Sequence, residues 1–356
     1  MPPDKIKPVT AKKRVGLLPR FREWVARHGE AFWYVLTVVL PVILRTGKRP
    51  VIFSKYSGIG DIICTFPTVL KLKERHPGAT FIYNCHKSYA CLPGMGGITD
   101  FVTHLHHAGV LRHWYGWLFR AFYEFPCADE SPDNFCRQYV VHEYASDHGV
   151  TVAAAHPHLQ LAPSVRARIQ EKLKSRIPPG APLVSIQTGP SWPIREWPAT
   201  AWAALITDLR QRHAATIVVI GTNSHLAMGT TAVPELPGVV SLVNELTLEE
   251  SSAVIGASRL FIGIDSGLLH LAAALRVPCV GIFGPTSPQL RLPAGDVQNC
   301  VVSRIQCQGC HHRVPRIHWE TGCPYDAACM KGIPVSEVLA ACLRLLPQAA
   351  NPVKTL

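Results

Sequence analysis

The sequence predicts an α/β protein made of two doubly wound parallel sheets, and three observations carry that prediction. Short apolar runs of strand type alternate with helical stretches through most of the chain. Two of those strands end in tight glycine turns that open directly into helices, at Tyr56-Ser-Gly-Ile-Gly-Asp61 and at Asp265-Ser-Gly267. Between them, Pro178-Pro-Gly-Ala-Pro182 interrupts the pattern and divides it into two units. The 356 residues, 47% apolar and 17% charged, are enough for two such domains with a large core.

Residues 1–49 stand apart as an N-terminal extension. The first 16 are rich in Pro and Lys. From Leu17 the apolar positions Leu18, Phe21, Trp24, Val25 and His28 recur at helical spacing, and Ala31–Leu44 is nearly all apolar. Fourteen such residues, interrupted by Pro41, are too few to span a bilayer, which takes about 20. Either this helix lies at a membrane interface, with Trp24, Trp33 and Tyr34 at headgroup depth, or it packs on the body of the protein. Charge favours the interface. Residues 1–50 hold eleven Lys/Arg and three Asp/Glu, so +8 of the net +12 lies there and only +4 remains for the rest. A nucleic-acid protein would spread its basic residues over its domains, so an anionic membrane surface is the expected partner, and nucleic acid is not.

The first domain is expected over residues 50–165. A strand at 50–55 feeds the Ser57-Gly58-Ile-Gly60-Asp61 turn, a helix runs from Ile62 to Arg75, and a second strand covers Ala79–Tyr83. The turn is a poor dinucleotide fingerprint: Ile63 stands where a third glycine belongs, and no acidic residue ends the next strand. Residues 100–165 carry His104, His106, His107 and His113 among aromatics, which reads as a metal site, an acceptor-binding wall or plain core. Residues 166–182 form the linker.

The second domain, 183–334, opens with a strand at Leu183–Gln187 and the loop Thr188–Pro198. Helix 200–212, strand Thr216–Ile220, strand Val239–Leu242, helix 247–256 and strand Leu260–Ile264 follow. Then come the Asp265 turn, a helix at 268–276 stopped by Val277-Pro278, and a strand at Cys279–Phe283. A strand, tight turn and helix in succession aim free backbone N–H groups and the positive end of a helix dipole at one point, which suits a diphosphate. Residues 335–356 close the chain with an amphipathic helix and tail. Twelve scattered cysteines without a secretory signal read as reduced and cytoplasmic. Cys307, Cys310, Cys323 and Cys329 are the exception, since their spacing fits either a structural zinc site or ordinary thiols.

Ser57-Gly-Ile-Gly-Asp61, the Thr188–Pro198 loop, Ile264-Asp-Ser-Gly-Leu-Leu-His-Leu-Ala-Ala-Ala274 and Phe283-Gly-Pro-Thr286, in that order, resemble glycosyltransferase family 9, the bacterial lipopolysaccharide heptosyltransferases. The resemblance covers residues 50 to 346. It implies a GT-B fold, two Rossmann-like domains facing a cleft, and an inverting transfer that requires no cofactor. It also implies an ADP-heptose donor and, as acceptor, a lipopolysaccharide core or other lipid-linked glycan at the cytoplasmic face of the inner membrane. The closing helix in such folds commonly crosses back to the first domain.

Sugar transfer needs a base for the acceptor hydroxyl and a home for the departing diphosphate. Asp61 is the candidate base, with capping of its own helix as the alternative. Ser57, Gly58 and Gly60 form the acceptor loop, where glycines allow close approach. Thr188, Gly189, Ser191, Arg195, Asp265, Ser266, Gly267 and His270 are the expected donor set. Arg195 stands where the family commonly has Lys, which keeps the charge in a planar fork. Asp265 would repel phosphate, so it is expected to cap its helix or bind sugar hydroxyls. His270 reads as a phosphate or sugar ligand or a core histidine. No Asp-x-Asp motif suggests a catalytic metal. A nucleotide-sugar epimerase of similar fold and a non-catalytic glycan-binding homologue are the competing readings.

Overall fold

The computed structural model describes residues 17–127, 135–153, 155–178, 182–189, 193–213, 215–222, 236, 238–314 and 322–346. Ser191 lies outside them. Two all-parallel sheets form the frame. The first has order β3-β2-β1-β4, from β1 (Val51–Ser54), β2 (Phe81–Asn84), β3 (Phe101–Thr103) and β4 (Ala121–Glu124). The second has order β10-β9-β8-β5-β6-β7. Its strands are β5 (Leu183–Gln187), β6 (Thr216–Val219), β7 (Val239–Ser241), β8 (Leu260–Ile264), β9 (Cys279–Phe283) and β10 (Val301–Val302). Central strands β1, β5, β8 and β9 are buried throughout, as continuous apolar runs in a covered parallel sheet should be.

Helices connect and cover these strands. The extension forms α1 (Leu17–Tyr34), a π-helical turn (Val35–Val39) and α2 (Leu40–Thr46) in one unbroken run. The expected break at Pro41 does not occur. The wide turn just before it absorbs the missing proline N–H, and Pro41 sits in the first turn of α2, where no donor is needed. The helix is therefore longer than expected, and Phe21–Thr46 is long and apolar enough, by length and composition, to cross a membrane. One side of it is nonetheless packed on the first domain. Ala31, Tyr34, Val35, Val39 and Val42 share a buried cluster with Leu105, Leu111, Leu118 and Phe119. Tyr34 hydrogen-bonds Thr103 at 2.8 Å, and the His106 N–H donates to Glu30.

In the first domain α3 (Ile59–Lys73) follows β1, and α4 (Cys91–Met95), α5 (Ala108–Tyr115) and α6 (Val140–Asp147) complete the layer. Helix α3 starts three residues before the expected Ile62, because Gly58, at φ +87°, makes the turn into it. That places Asp61 in the first turn. Helix α7 (Pro163–Leu173) runs into the first part of the expected linker and lies on α9 (Leu248–Ala257), tied by Arg168–Glu249 and Lys172–Glu250 ion pairs at 2.8 and 3.1 Å. The second domain adds α8 (Ala199–His213), α10 (Gly267–Ala274) and the closing α11 (Val335–Leu345). Contrary to expectation, α11 does not return to the first domain. Its apolar face, Val338, Leu339 and Cys342, packs with Trp202, Leu205 and Leu209 of α8 over the second sheet.

Candidate active site

Each sheet changes direction once, and both glycine turns sit at those points. Strands β1, β2 and β3 step outward before β4 returns to the other side of β1; β5, β6 and β7 step outward before β8 returns to the other side of β5. Loops leaving the two central strands diverge there and open a crevice at the carboxyl ends, where open α/β sheets bind ligands. Ser57, Gly58, Gly60 and Asp61 follow β1. Thr188 and Gly189 follow β5, and Asp265, Ser266 and Gly267 follow β8.

Two glycines bring these crevices together. A Cβ on Gly60 would lie 2.5 Å from the His270 ring, and one on Gly267 would lie 2.6 Å from the Cβ of Ile59. The first turns of α3 and α10 therefore touch with backbone against side chain, at a distance no larger residue permits. One apolar cluster continues across this contact, with Ile62, Ile63 and Phe66 from α3 and Leu268, Leu269 and Leu271 from α10. The turn after β1 and the turn after β8 thus meet across a shared wall.

On the first-domain side Asp61 does not cap its helix. The capping position is Gly58, and no side-chain capping bond is made. A Cβ at Gly58 would stand 2.5 Å from the Asp61 Oδ2, so this glycine also clears room for the carboxylate. Asp61 is one third exposed, and its Oδ2 lies 3.9 Å from the Nζ of Lys55, a side chain that is 1% exposed. Sequence reasoning had placed Lys55 only as the last residue of a buried strand.

The donor side is a buried polar network. Asp265 pairs with Arg195 at 3.5 Å and faces the His270 Nε2 at 3.9 Å. Arg195 also donates to the Asp265 carbonyl at 3.2 Å and contacts the His311 Nε2 at 3.1 Å. Burial raises the Asp265 pKa, but Arg195, Arg291 and His270 more than offset this and hold the carboxyl below its usual range. Burial lowers the His270 pKa and outweighs the pull of Asp265, so its imidazole is neutral. Asp265 does not cap α10. The capping position is Ser266, extended at φ −152° and ψ 171°, and its hydroxyl donates to the Gln187 side chain instead. No side chain caps the first N–H groups of α10. They point along the helix dipole, as an anion site requires. His311, Arg291 and Gln187 were missed as members of this network. His311 stands 116 residues from Arg195 in the sequence, too far for a local pattern to connect them.

The four cysteines singled out by their spacing lie near one another. Cys310 and Cys329 sense each other and Cys307 and Cys323 electrostatically, so the four are neighbours. Cys329 is buried against Gly284, whereas the other three are only partly covered. Among the described residues no group of three or more His, Cys, Asp or Glu is arranged to hold a metal, and this applies equally to His104, His106, His107 and His113. His106 instead meets His107 and Tyr56 edge-to-face, beside the turn that follows β1.

The sequence profile described as Glycosyltransferase family 9 (heptosyltransferase) matches residues 101–318, more than half of the chain. Lipopolysaccharide heptosyltransferase 1 of Pseudomonas aeruginosa is 30% identical over 139 residues, 37% of this chain and 37% of that protein. The chain therefore spans little more than a third of that curated relative. A family 9 glycosyl transferase from Veillonella parvula superposes with a TM-score of 0.62 at 15% identity, covering 83% of this chain and 97% of that one. The iron-containing heptosyltransferase TibC of enterotoxigenic Escherichia coli, solved with ADP-D-β-D-heptose, gives 0.63 at 18% identity over 83% and 76%. These likenesses establish the GT-B architecture, and with the profile match they settle the family: the chain belongs to glycosyltransferase family 9.

Proposed function

We propose that this protein is an inverting glycosyltransferase that moves a heptose from ADP-heptose to a lipopolysaccharide core or a related lipid-linked glycan. The observation that carries this reading is the apposition, across Gly60 and Gly267, of a carboxylate one third exposed and a helix N-terminus without a side-chain cap beside an Arg–Asp–His network. Asp61 takes the proton of the acceptor hydroxyl. The freed oxygen attacks the anomeric carbon, and the bond from that carbon to the diphosphate breaks. The departing diphosphate is received by the α10 N–H groups, with Thr188, Gly189 and Arg195 lining the same side. Asp265, paired with Arg195, anchors the guanidinium beside the α10 N-terminus. The heptosyltransferase names of the relatives and the ADP-heptose bound to TibC support the choice of donor.

The second part of the proposal places the enzyme on the cytoplasmic face of the inner membrane. Leu18, Phe21, Val25, Phe32 and Leu36 recur at intervals of three, four and seven residues and are exposed, so the side of α1 turned away from the domain is apolar. Phe21 stacks on Trp24, Trp24 on His28, and His28 meets Trp114 of α5. Trp117 is 70% exposed, and its carbonyl accepts from Arg49. An exposed aromatic belt amid basic residues suits an anionic interface. A helix whose other side is buried in the protein lies along that surface.

Cys307, Cys310, Cys323 and Cys329 enter the reading as a structural zinc site that closes only around the metal. Burial pushes the Cys329 thiol up to about 11, so zinc binding would release protons. Elemental analysis of the purified protein should find one zinc per chain, and chelation should lower the melting temperature.

Transfer is tested with ADP-heptose and a heptose-free inner core. Asp61→Ala should lower kcat/KM by roughly 10²–10⁴ while ADP-heptose still raises the melting temperature. Transfer at the wild-type rate would remove Asp61 as the base.

A further inference from the structure

We propose that Lys55 is a positioning residue of the transfer reaction, a buried ammonium that keeps the Asp61 carboxylate ionised and aimed at the acceptor while a diphosphate donor occupies the cleft. The inference rests on the reading of Asp61 as the base and deepens it.

Lys55 directly follows β1, where a lysine is unexpected. Its side chain is 1% exposed, in a layer where a charged group is stable only with partners. Three are present. Nζ donates to the Pro126 carbonyl at 2.9 Å, approaches the Cys127 sulfur at 3.2 Å, and stands 3.9 Å from the Asp61 Oδ2. Pro126 and Cys127 follow β4, the strand on the far side of β1. The ammonium therefore bridges the two loops that diverge at the switch point of the first sheet, and it faces the crevice between them.

Among the described residues, Lys55 is the cation that forms an ion pair with Asp61, while Arg291 acts on its neighbours Cys64 and His270. Cys64 on α3, Tyr83 on β2, Tyr89 beyond it, Tyr144 on α6 and His270 on α10 all couple to its charge. Burial keeps the thiol and the phenols protonated and the imidazole neutral. When a donor enters, its diphosphate brings negative charge into the same cleft and favours protonation of Asp61. A protonated base cannot accept the acceptor proton. Lys55 opposes that shift from a site solvent does not reach, so it is weakly screened. Its bond to the Pro126 carbonyl holds it in place, so the correction is built in before the donor arrives.

The test compares Lys55→Met and Lys55→Gln with wild type in transfer from ADP-heptose to heptose-free core. Gln can still donate to Pro126 but carries no charge. If Lys55 acts through charge, both variants should move the acid limb of the kcat–pH profile upward by about one unit, and kcat at neutral pH should fall about tenfold or more. KM for ADP-heptose should change far less. An acid limb that stays at its wild-type position in Lys55→Gln, with loss of rate matched by loss of folded protein, would overturn the proposal. Asp61→Asn separates this failure from that of the underlying reading. Wild-type transfer by Asp61→Asn removes the base itself, whereas an inactive Asp61→Asn with an unmoved acid limb in Lys55→Gln removes only the role of Lys55.

Discussion

A single methyl group at position 60 is enough to test whether the two halves of the site meet as described. The His270 side chain is only 10% exposed and faces Asp265, so its ring has little room to admit a Cβ 2.5 Å away; α10 must move. Gly60→Ala should cost about 1–3 kcal/mol, the usual range for overpacking, and should weaken donor binding with it. Gly29 is the control. It lies inside α1 with nothing within 4 Å of the added Cβ, so Gly29→Ala should stabilise the protein by up to about 1 kcal/mol through helix propensity. Equal effects at the two positions, read from denaturant midpoints, would mean that the α3–α10 contact is looser than described. His270 itself sets a pH dependence. Its folded-state pKa is lowered, so an unfolded chain binds the proton first. The stability this contributes is complete above the unfolded value, about 6.5, and is lost as pH falls below it. His76, His107 and His148 are shifted the same way and share the slope. His270→Gln should therefore make the decline of stability between pH 7 and 5 shallower without abolishing it.

At the scale of elements, the extension behaves as part of the first domain rather than as a detachable anchor. Removing residues 1–49 would strip Tyr34, Val35, Val39 and Val42 from Leu105, Leu111 and Phe119 and expose that cluster. Such a truncation should lower stability and promote aggregation, so its failure to bind membranes would say nothing about the anchor. Substituting exposed residues avoids this. A variant with Phe21, Trp24, Trp114 and Trp117 replaced by Ser should keep its melting temperature within a degree or two. It should also lose most of its sedimentation with vesicles containing anionic phosphatidylglycerol, and the wild-type protein should sediment less as salt is raised. Undiminished sedimentation of the variant would exclude this face. The sequence made the helix legible but not its partner. Apolar residues on two sides of one helix look alike in a periodicity, and only the fold distinguishes Val35, which is buried, from Leu36, which is exposed. Strands β3 and β4 were illegible for a related reason. They are short strands at the sheet's margins with half-covered side chains, so they leave no continuous apolar run.

At the scale of the molecule, the central strands of both sheets and the two glycine turns could be read directly, because buried parallel strands and helix-opening turns leave local signals. The joining of the two domains, and the long-range contacts within each, could not. Arg195 to His311, Gly60 to His270 and Lys55 to Pro126 are contacts between residues far apart in sequence, and no local pattern encodes them. Those contacts have a thermodynamic consequence. A single apolar cluster runs from Val51 and Phe53 under the first sheet, through α3 and α10, to Phe261 and Phe283 in the second. Neither domain can lose its share without exposing the other's, so calorimetry of the unliganded protein should show one cooperative transition. A donor that binds the folded cleft stabilises that whole unit. ADP-heptose at a hundred times its dissociation constant should add about 2.7 kcal/mol and move the single transition upward by several degrees, more than GDP- or UDP-sugars at the same concentration. Two separate transitions, with only one displaced by ADP-heptose, would show instead that the domains melt independently and that the α3–α10 contact does not couple them.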